Sequence, residues 1–262
     1  MGEMTMTCKI CGQNSPKKFT AKVLNKYDIS YYHCGQCGFL QTEEPYWLSE
    51  AYSESITVSD TGILQRNQLF AELVPILLAT NFNAGGKFVD FAGGYGIFTR
   101  LMRDIGFDFL WTDPMTKNLI ARGFEYTSAS GPIEALTTFE TFEHLVDPLK
   151  DIESMLKISR NIIFSTKLLP DPVPSPEEWW YYVLEHGQHI SFYSQSTLEF
   201  IARKYSLKFY SFGPFHLFTE KEVNMTMMKI LFRFRKYGIR KHLLRSLTSR
   251  TESDFNSFRT GK

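Results

Sequence analysis

An α/β core set between a small cysteine-bearing N-terminal lobe and a helical C-terminal tail is predicted by three observations on this 262-residue chain. Residues 85–96 read as an apolar strand running into a glycine-rich turn, an amphipathic helix follows, and a second apolar strand ends at Asp113, about twenty residues after the glycines. All four cysteines fall in the first 37 residues. The end of the chain is basic and helically periodic. Composition agrees: 43% hydrophobic and 22% charged residues are ordinary for a globular protein and exclude a disordered one. Lysine plus arginine (29) nearly balances aspartate plus glutamate (28), so the whole chain lacks the cationic excess of a nucleic-acid binder. No apolar stretch approaches the ~20 residues of a membrane span. The start, MGEMTMTCKICG, lacks the apolar core of a signal peptide, so the expected location is cytoplasmic.

The cysteines stand as Cys8, Cys11 and then Gly12, and as Cys34, Cys37 and then Gly38. Two C-x-x-C-G turns about twenty residues apart are the pattern of a closed tetrathiolate zinc site. A two-residue spacer lets both thiolates of one turn reach the same ion, and the following glycine tolerates the positive φ that such a knuckle often needs. Residues 18–24 and 28–33 read as two short strands between the turns. The expectation is a zinc ribbon over 1–45 with Cys8, Cys11, Cys34 and Cys37 as structural ligands. A redox pair or two disulfides are the alternatives, and a reducing cytosol disfavours both. The ion would stand in for the core that so short a segment cannot build.

Residues 46–84 are expected to form a linker and capping helix, with apolar positions at helical spacing over 61–82 and Pro75 predicting a break or kink. The turn that follows reads Asp90-Phe91-Ala92-Gly93-Gly94-Tyr95-Gly96. Such a turn lets the backbone approach a nucleotide-like ligand at a helix start, and an acid at the tip of the second strand, Asp113, accepts hydrogen bonds from ribose hydroxyls. A dinucleotide pocket usually wants G-x-G-x-x-G opening directly into the helix; here an acid stands two residues before the loop.

With Asp90, Ala92, Gly94 and Gly96 at its four fixed positions, the segment resembles the first motif, D-x-G-x-G-x-G, of class I S-adenosylmethionine-dependent methyltransferases. Ala92 replaces the first glycine. An acid here disfavours a phosphate and suits a cofactor bearing an ammonium and a sulfonium. The resemblance extends over most of the chain. Residues 135–148 look like the family's fourth strand and its E-H-x-x-D-P segment, and 161–166 like the fifth strand. Residues 188–194 look like the H-x-S-F-Y-S run, and 207–213 with 215–219 like the closing antiparallel pair. It implies a Rossmann-like core over 85–220 with a mostly parallel sheet and an antiparallel closing strand. It also implies S-adenosylmethionine as cofactor, with Asp90, Ala92, Gly93, Gly94, Gly96, Asp113, Glu140 and Arg66 as its binding residues. Joined to a two-knuckle ribbon, the core is similar to sugar methyltransferases of nucleotide-sugar and polysaccharide pathways. Where the C-methylating members carry Glu-His, this chain has Gln188 and His189, which turns the expectation toward a hydroxyl acceptor.

Methyl transfer from a sulfonium is an in-line displacement, so the protein positions donor and acceptor and removes the acceptor's proton. His189 is the expected base, because an imidazole with pKa near ~6.5 is available in its neutral form at cellular pH. A histidine hydrogen-bonded at a helix start is the bland alternative. His186 lies one turn away and shares or replaces that role. Glu143 and His144 follow the fourth strand, as a structural cap or as chemistry. Tyr52 and Arg66 lie in the segment that covers the cofactor in this superfamily. Arg66 is expected to pair with the methionine carboxylate, a solvated surface arginine being the alternative.

An insertion over 168–187 carries four alternating prolines and then Trp179, Trp180, Tyr181 and Tyr182, whose faces suit sugar rings or anchor the insertion to the core. Residues 221–262 are expected to be a basic amphipathic helical tail, without an acid from 223 to 250 and interrupted near Gly238. Such a tail packs on its own domain or rests on an anionic membrane surface. The expected function is methyl transfer to a hydroxyl of a small-molecule or sugar-linked acceptor. The alternatives are a non-catalytic methyltransferase-like module, docking a partner (nucleic acid among the candidates) through ribbon and tail, and, third, a nicotinamide-dependent enzyme. The sequence leaves the oligomeric state open.

Overall fold

The computed structural model describes residues 4–53, 56–58 and 60–260; residues 54, 55 and 59 of the expected linker, and the ends of the ribbon and tail, lie outside that description. The chain begins with β1 (Thr5–Thr7), β2 (Asn14–Val23), β3 (Tyr27–His33), β4 (Leu40–Thr42), α1 (Leu48–Ala51) and α2 (Ile63–Asn81). Next come β5 (Lys87–Phe91), α3 (Ile97–Ile105), β6 (Asp108–Thr112), β7 (Ala135–Thr138), α4 (Pro148–Ile158) and β8 (Ile162–Phe164). β9 (Ser191–Phe192), α5 (Gln195–Lys204), β10 (Lys208–Ser211) and β11 (His216–Thr219) precede α6 (Met225–Arg233), α7 (Arg240–Leu243) and α8 (Thr251–Thr260). Two sheets result, ordered β1-β2-β3-β4-β9 and β10-β11-β8-β7-β5-β6. β5 is parallel to both β6 and β7, whereas β10 and β11 are antiparallel, so the second sheet is the mixed one expected from the sequence.

The chain divides into two compact units, and the division falls within β8. One comprises Met1–Thr57, Phe139–Lys157 and Phe164–Glu220; the other comprises Val58–Thr138, Ile158–Ile163 and Lys221–Lys262.

In the first unit β2 alternates inward and outward, as a half-buried antiparallel strand does, whereas the middle of β3 and all of β4 are buried. Ala21, Val23, Ile29, Tyr31 and Leu40 turn inward against Leu169, Trp179, Tyr181, Tyr182 and Phe192. Phe19 stacks on Tyr31 at 4.7 Å, and Tyr182 meets both rings edge-on at 5.4 and 5.8 Å. Three of the four adjacent aromatics are therefore core. A short helical turn over Trp180–Tyr182 swings only Trp180 outward, to 71% exposure beside Lys167, so the aromatic surface offered to a ligand is one indole.

In the second unit β5 carries Phe88 and Val89 fully buried, and α3 closes one face through Phe98, Met102 and the ring contacts of Phe109 with Phe88 and Phe98. α2 is continuous through Pro75, which excludes a break there; the ring lies in the buried stretch over 70–78, where apolar packing offsets the missing N–H bond. Arg103 of α3 is buried. Its guanidinium donates to both carboxylate oxygens of Asp254 on α8, at 2.9 and 2.7 Å, and to Asp108 at 2.7 Å, with Phe124 beneath it at 3.6 Å. The tail is interrupted where the sequence places the break: Gly238 takes φ +86° between α6 and α7. The tail lies on α2, where Arg235 reaches Glu72 at 3.2 Å and Arg240 the Ala71 carbonyl at 3.2 Å. No helix among the described residues is long and apolar enough to cross a membrane.

Candidate active site

The end of β5 sets the geometry of the glycine turn. Asp90 is 2% exposed and accepts hydrogen bonds from the hydroxyls of Thr99 (3.1 Å) and Thr137 (2.9 Å), tying β5 to α3 and β7. Ala92 takes φ +53° and Gly94 φ +54°, so the position where this chain replaces glycine holds an L-residue in the left-handed region. A Cβ on Gly93 would meet Asp90 Oδ2 at 2.7 Å and Trp111 at 2.8 Å. At Gly96, where φ is +86°, it would meet Asn118 at 2.9 Å. Asp113 closes on this turn as the spacing requires: its Oδ2 accepts the Gly94 N–H at 2.9 Å, while Oδ1 accepts those of Met115 and Thr116 at 2.7 and 2.8 Å. A carboxylate has about four lone-pair sites, so these three donors leave Asp113 capacity for a further hydroxyl. The turn and its acid thus fit the adenosine end of a nucleoside cofactor. Arg66 is engaged elsewhere, with Nη2 on both oxygens of Asp60 at 2.7 and 2.6 Å. Pairing with a cofactor carboxylate would require exchange of that ion pair.

Burial pushes the Asp90 carboxyl up to about 7, against an ordinary value near ~4. The folded chain therefore holds a proton that the unfolded chain releases between about pH 4 and 7, and stability contributed by this group falls as pH rises through that window. Asp90→Asn, fixed in the neutral form, is expected to gain on wild type by several degrees in Tm between pH 5 and 8. Parallel thermal melts check this, and a pH-independent difference would overturn it.

The second cluster lies in the first unit. A short helical turn after β7 carries Glu143 and His144. Non-local hydrogen bonds clamp it to the segment before and through β9: Ile190 N–H to the Glu143 carbonyl (2.9 Å), Ser191 Oγ to that of Leu145 (2.7 Å), and Tyr193 Oη to that of Phe142 (3.0 Å). This clamp brings His144 beside His189, with ring centroids 4.9 Å apart. His189 Nδ1 lies 2.8 Å from the Tyr181 carbonyl and His144 Nδ1 3.1 Å from that of Gln188. A carbonyl only accepts, so both Nδ1 atoms carry the hydrogen and each neutral ring keeps its lone pair on Nε2. Tyr52 Oη is 3.0 Å from His144 Nδ1. Burial holds both imidazoles below their ordinary range, His189 down to about 3 with help from His144, so both are neutral at physiological pH. Glu143 is fully buried, and one of its oxygens and one nitrogen of each ring lie within 4.8 Å of one another. Glu140 takes φ +50°; its N–H donates to Ser165 Oγ at 2.8 Å, and that hydroxyl donates back to Glu140 Oε1 at 2.6 Å. His186 sits half-buried in the preceding turn, its N–H on the Val183 carbonyl at 3.1 Å, outside the trio. The adjacency of Glu143 and His144 was visible in the sequence; their meeting with His189 and Tyr52 had no local signal.

The four thiols gather at one point, their sulfurs within 4.8 Å of one another, and none is in a disulfide. Sγ of Cys8 is 3.6 Å from that of Cys37, and Cys11 is 3.4 Å from Cys34, close to the about 3.8 Å edge of a tetrahedron with 2.3 Å zinc–sulfur bonds. Both knuckles share one backbone form. The Cys8 N–H donates to the Gln13 carbonyl and that of Cys34 to the Phe39 carbonyl, each at 2.8 Å, with Gly12 and Gly38 at φ +75° and +76°. The second knuckle rests on the start of α5: the Cys37 carbonyl accepts from Ser196 Oγ (3.2 Å) and Thr197 Oγ1 (2.8 Å), and a Cβ on Gly38 would fall on the Ser194 hydroxyl.

Comparison with known families agrees with this geometry: a methyltransferase-domain model matches residues 64–211, more than half of the chain. The chain belongs to the methyltransferase-domain family. This methyltransferase, whose fold and cofactor class are those of the S-adenosylmethionine-dependent enzymes, matches no curated protein sequence. Among solved structures it is similar to magnesium protoporphyrin IX methyltransferase of Synechocystis PCC 6803 with bound SAH, at 12% identity, covering 65% of this chain and 90% of that one with a TM-score of 0.45. The plantazolicin methyltransferase BpumL in complex with SAH gives 13%, 72%, 87% and 0.46. Human N-acetylserotonin methyltransferase in complex with SAM gives 14%, 67%, 66% and 0.42. The family match carries the assignment.

Proposed function

We propose that the protein transfers a methyl group from S-adenosylmethionine to a hydroxyl of a sugar or sugar-linked metabolite. The observation that carries the cofactor half is the hydrogen bond from the Gly94 N–H to Asp113, which joins the glycine turn to the acid at the tip of β6. Asp90, Ala92, Gly93, Gly94 and Gly96 form the cradle, and Asp113 takes the ribose hydroxyls. When bound, the cofactor supplies an electrophilic methyl group on a sulfonium. His189 receives the acceptor's proton at Nε2, the nitrogen its Tyr181 hydrogen bond leaves free, and His186 passes it outward. The exposed face of Trp180, with Lys167 5.7 Å from its ring, suits the C–H face and hydroxyls of a sugar. Cys8, Cys11, Cys34 and Cys37 hold a structural zinc ion.

Calorimetry and a methyl-release assay over a panel of sugar acceptors test this. Asp113→Ala is expected to weaken cofactor binding at least tenfold. His189→Ala is expected to lower turnover by about 10²–10⁴-fold with cofactor affinity unchanged. Unchanged turnover in His189→Ala removes the base, and absence of cofactor binding by the wild type removes the function.

A further inference from the structure

We propose that Glu143, His144 and His189 form a binding site for a single divalent transition-metal ion, distinct from the four-cysteine site. It rests on the acceptor hydroxyl being placed at this cluster, as above, and replaces His189's role as base with that of an ion ligand. The first support is proximity. Metal–nitrogen and metal–oxygen bonds of about 2.0–2.2 Å put neighbouring ligand atoms roughly 3–4 Å apart, and one donor atom from each residue already lies within 4.8 Å of the other two.

The second support is orientation. A metal-bound histidine almost always donates its other ring N–H to a carbonyl or carboxylate, which fixes the tautomer and aims the free nitrogen. Both rings show that arrangement, His189 on the Tyr181 carbonyl at 2.8 Å and His144 on the Gln188 carbonyl at 3.1 Å. These outer partners are themselves anchored: Gln188 Nε2 donates to the Ala51 carbonyl at 2.8 Å, Trp47 Nε1 to the Gly187 carbonyl at 2.8 Å, and Tyr52 Oη lies on His144.

Burial is the third. Glu143 is fully enclosed, and an ionised carboxylate in such a place is stabilised by a cation. Two imidazoles and a carboxylate suit zinc, iron, cobalt or manganese in the divalent state rather than calcium, and three protein ligands leave positions for a substrate oxygen. A hydroxyl bound there loses its proton more readily: the O–H bond breaks, the proton leaves to water, and the oxygen keeps the electron pair on the ion.

Manganese(II) is the probe, because the four thiolates of the zinc-loaded full-length protein favour zinc over this harder ion. Titration of that protein, read as loss of the free-ion signal in electron paramagnetic resonance, is expected to show one manganese per chain. Glu143→Gln, which keeps the side-chain shape, is expected to weaken binding at least tenfold, and Tyr52→Phe to weaken it less. Cobalt(II) added in the same way is expected to give weak visible bands without the intense thiolate charge-transfer absorption. No manganese bound by the wild type, or equal affinity in Glu143→Gln, overturns the site. Cofactor calorimetry on the same samples separates the two readings. A chain that binds S-adenosylmethionine but no manganese loses the ion and keeps the methyl-transfer function; the opposite result does the reverse.

Discussion

With zinc held by the four cysteines as proposed, Cys34→Ser is expected to remove the ion and unfold the five-stranded sheet around it. Cys34 is fully buried, and serine presents a hydroxyl too weakly acidic to replace a thiolate. In small zinc domains the ion contributes about 10–16 kcal/mol of apparent folding free energy, far more than a domain's net stability. The effect should not stop at the ribbon. β4 pairs with β9 through Leu40 with Phe192 and Gln41 with Ser191, and the Thr42 N–H donates to the Ile190 carbonyl at 3.1 Å, one residue from His189. Loss of methyl transfer is therefore expected from a residue that touches no reactant. Zinc content should drop well below one per chain, and amide exchange over residues 5–42 should accelerate by orders of magnitude. Full protection of that stretch in zinc-free protein would show that the packing of Tyr31, Leu40 and Phe192 suffices alone.

Arg103→Ala is expected to destabilise the second unit by about 1.5–3 kcal/mol, because it removes the charged donor shared by Asp254 and Asp108 and leaves Asp254 only Arg100 at 2.9 Å and Asp108 only Arg250 at 3.8 Å. The Arg103 and Asp254 side chains are only 4% and 8% exposed, so solvent does not take over the pairing. Removing the acid as well, in Arg103→Ala with Asp254→Ala, is expected to recover part of the loss. Asp104→Ala is the contrast: that carboxylate is 45% exposed and faces Arg100 across one helical turn, an arrangement worth about 0.3–0.5 kcal/mol. Urea melts of the three variants beside wild type check the ranking. A loss below about 1 kcal/mol for Arg103→Ala would mean that α8 does not depend on this contact.

What the sequence made legible was local. The strand, glycine turn, helix and acid lie within one stretch, so spacing alone brought Gly94 and Asp113 together. The two knuckles are likewise written in five residues each. Contacts made by folding over long separations were not legible. His144 and His189 are 45 positions apart and meet only because the turn over 142–144 is clamped to β9. Arg103 and Asp254 are 151 positions apart, and nothing in the basic tail marks that acid as its anchor. Four consecutive aromatics read equally as a sugar-facing surface or as core anchors, and a single helical turn sends three into the core and one outward. Pro75 does not end its helix because propensity describes an isolated helix, and α2 is held by burial.

The seat of the second knuckle has an evolutionary consequence. Since Gly38 meets the Ser194 hydroxyl and the Cys37 carbonyl accepts from the Ser196 and Thr197 hydroxyls at the start of α5, the N-terminal lobe cannot be traded as a free cassette. A ribbon grafted from another protein with any larger residue after its fourth thiol would act as a lever on that helix, and compatible donors are those whose fourth cysteine is followed by glycine.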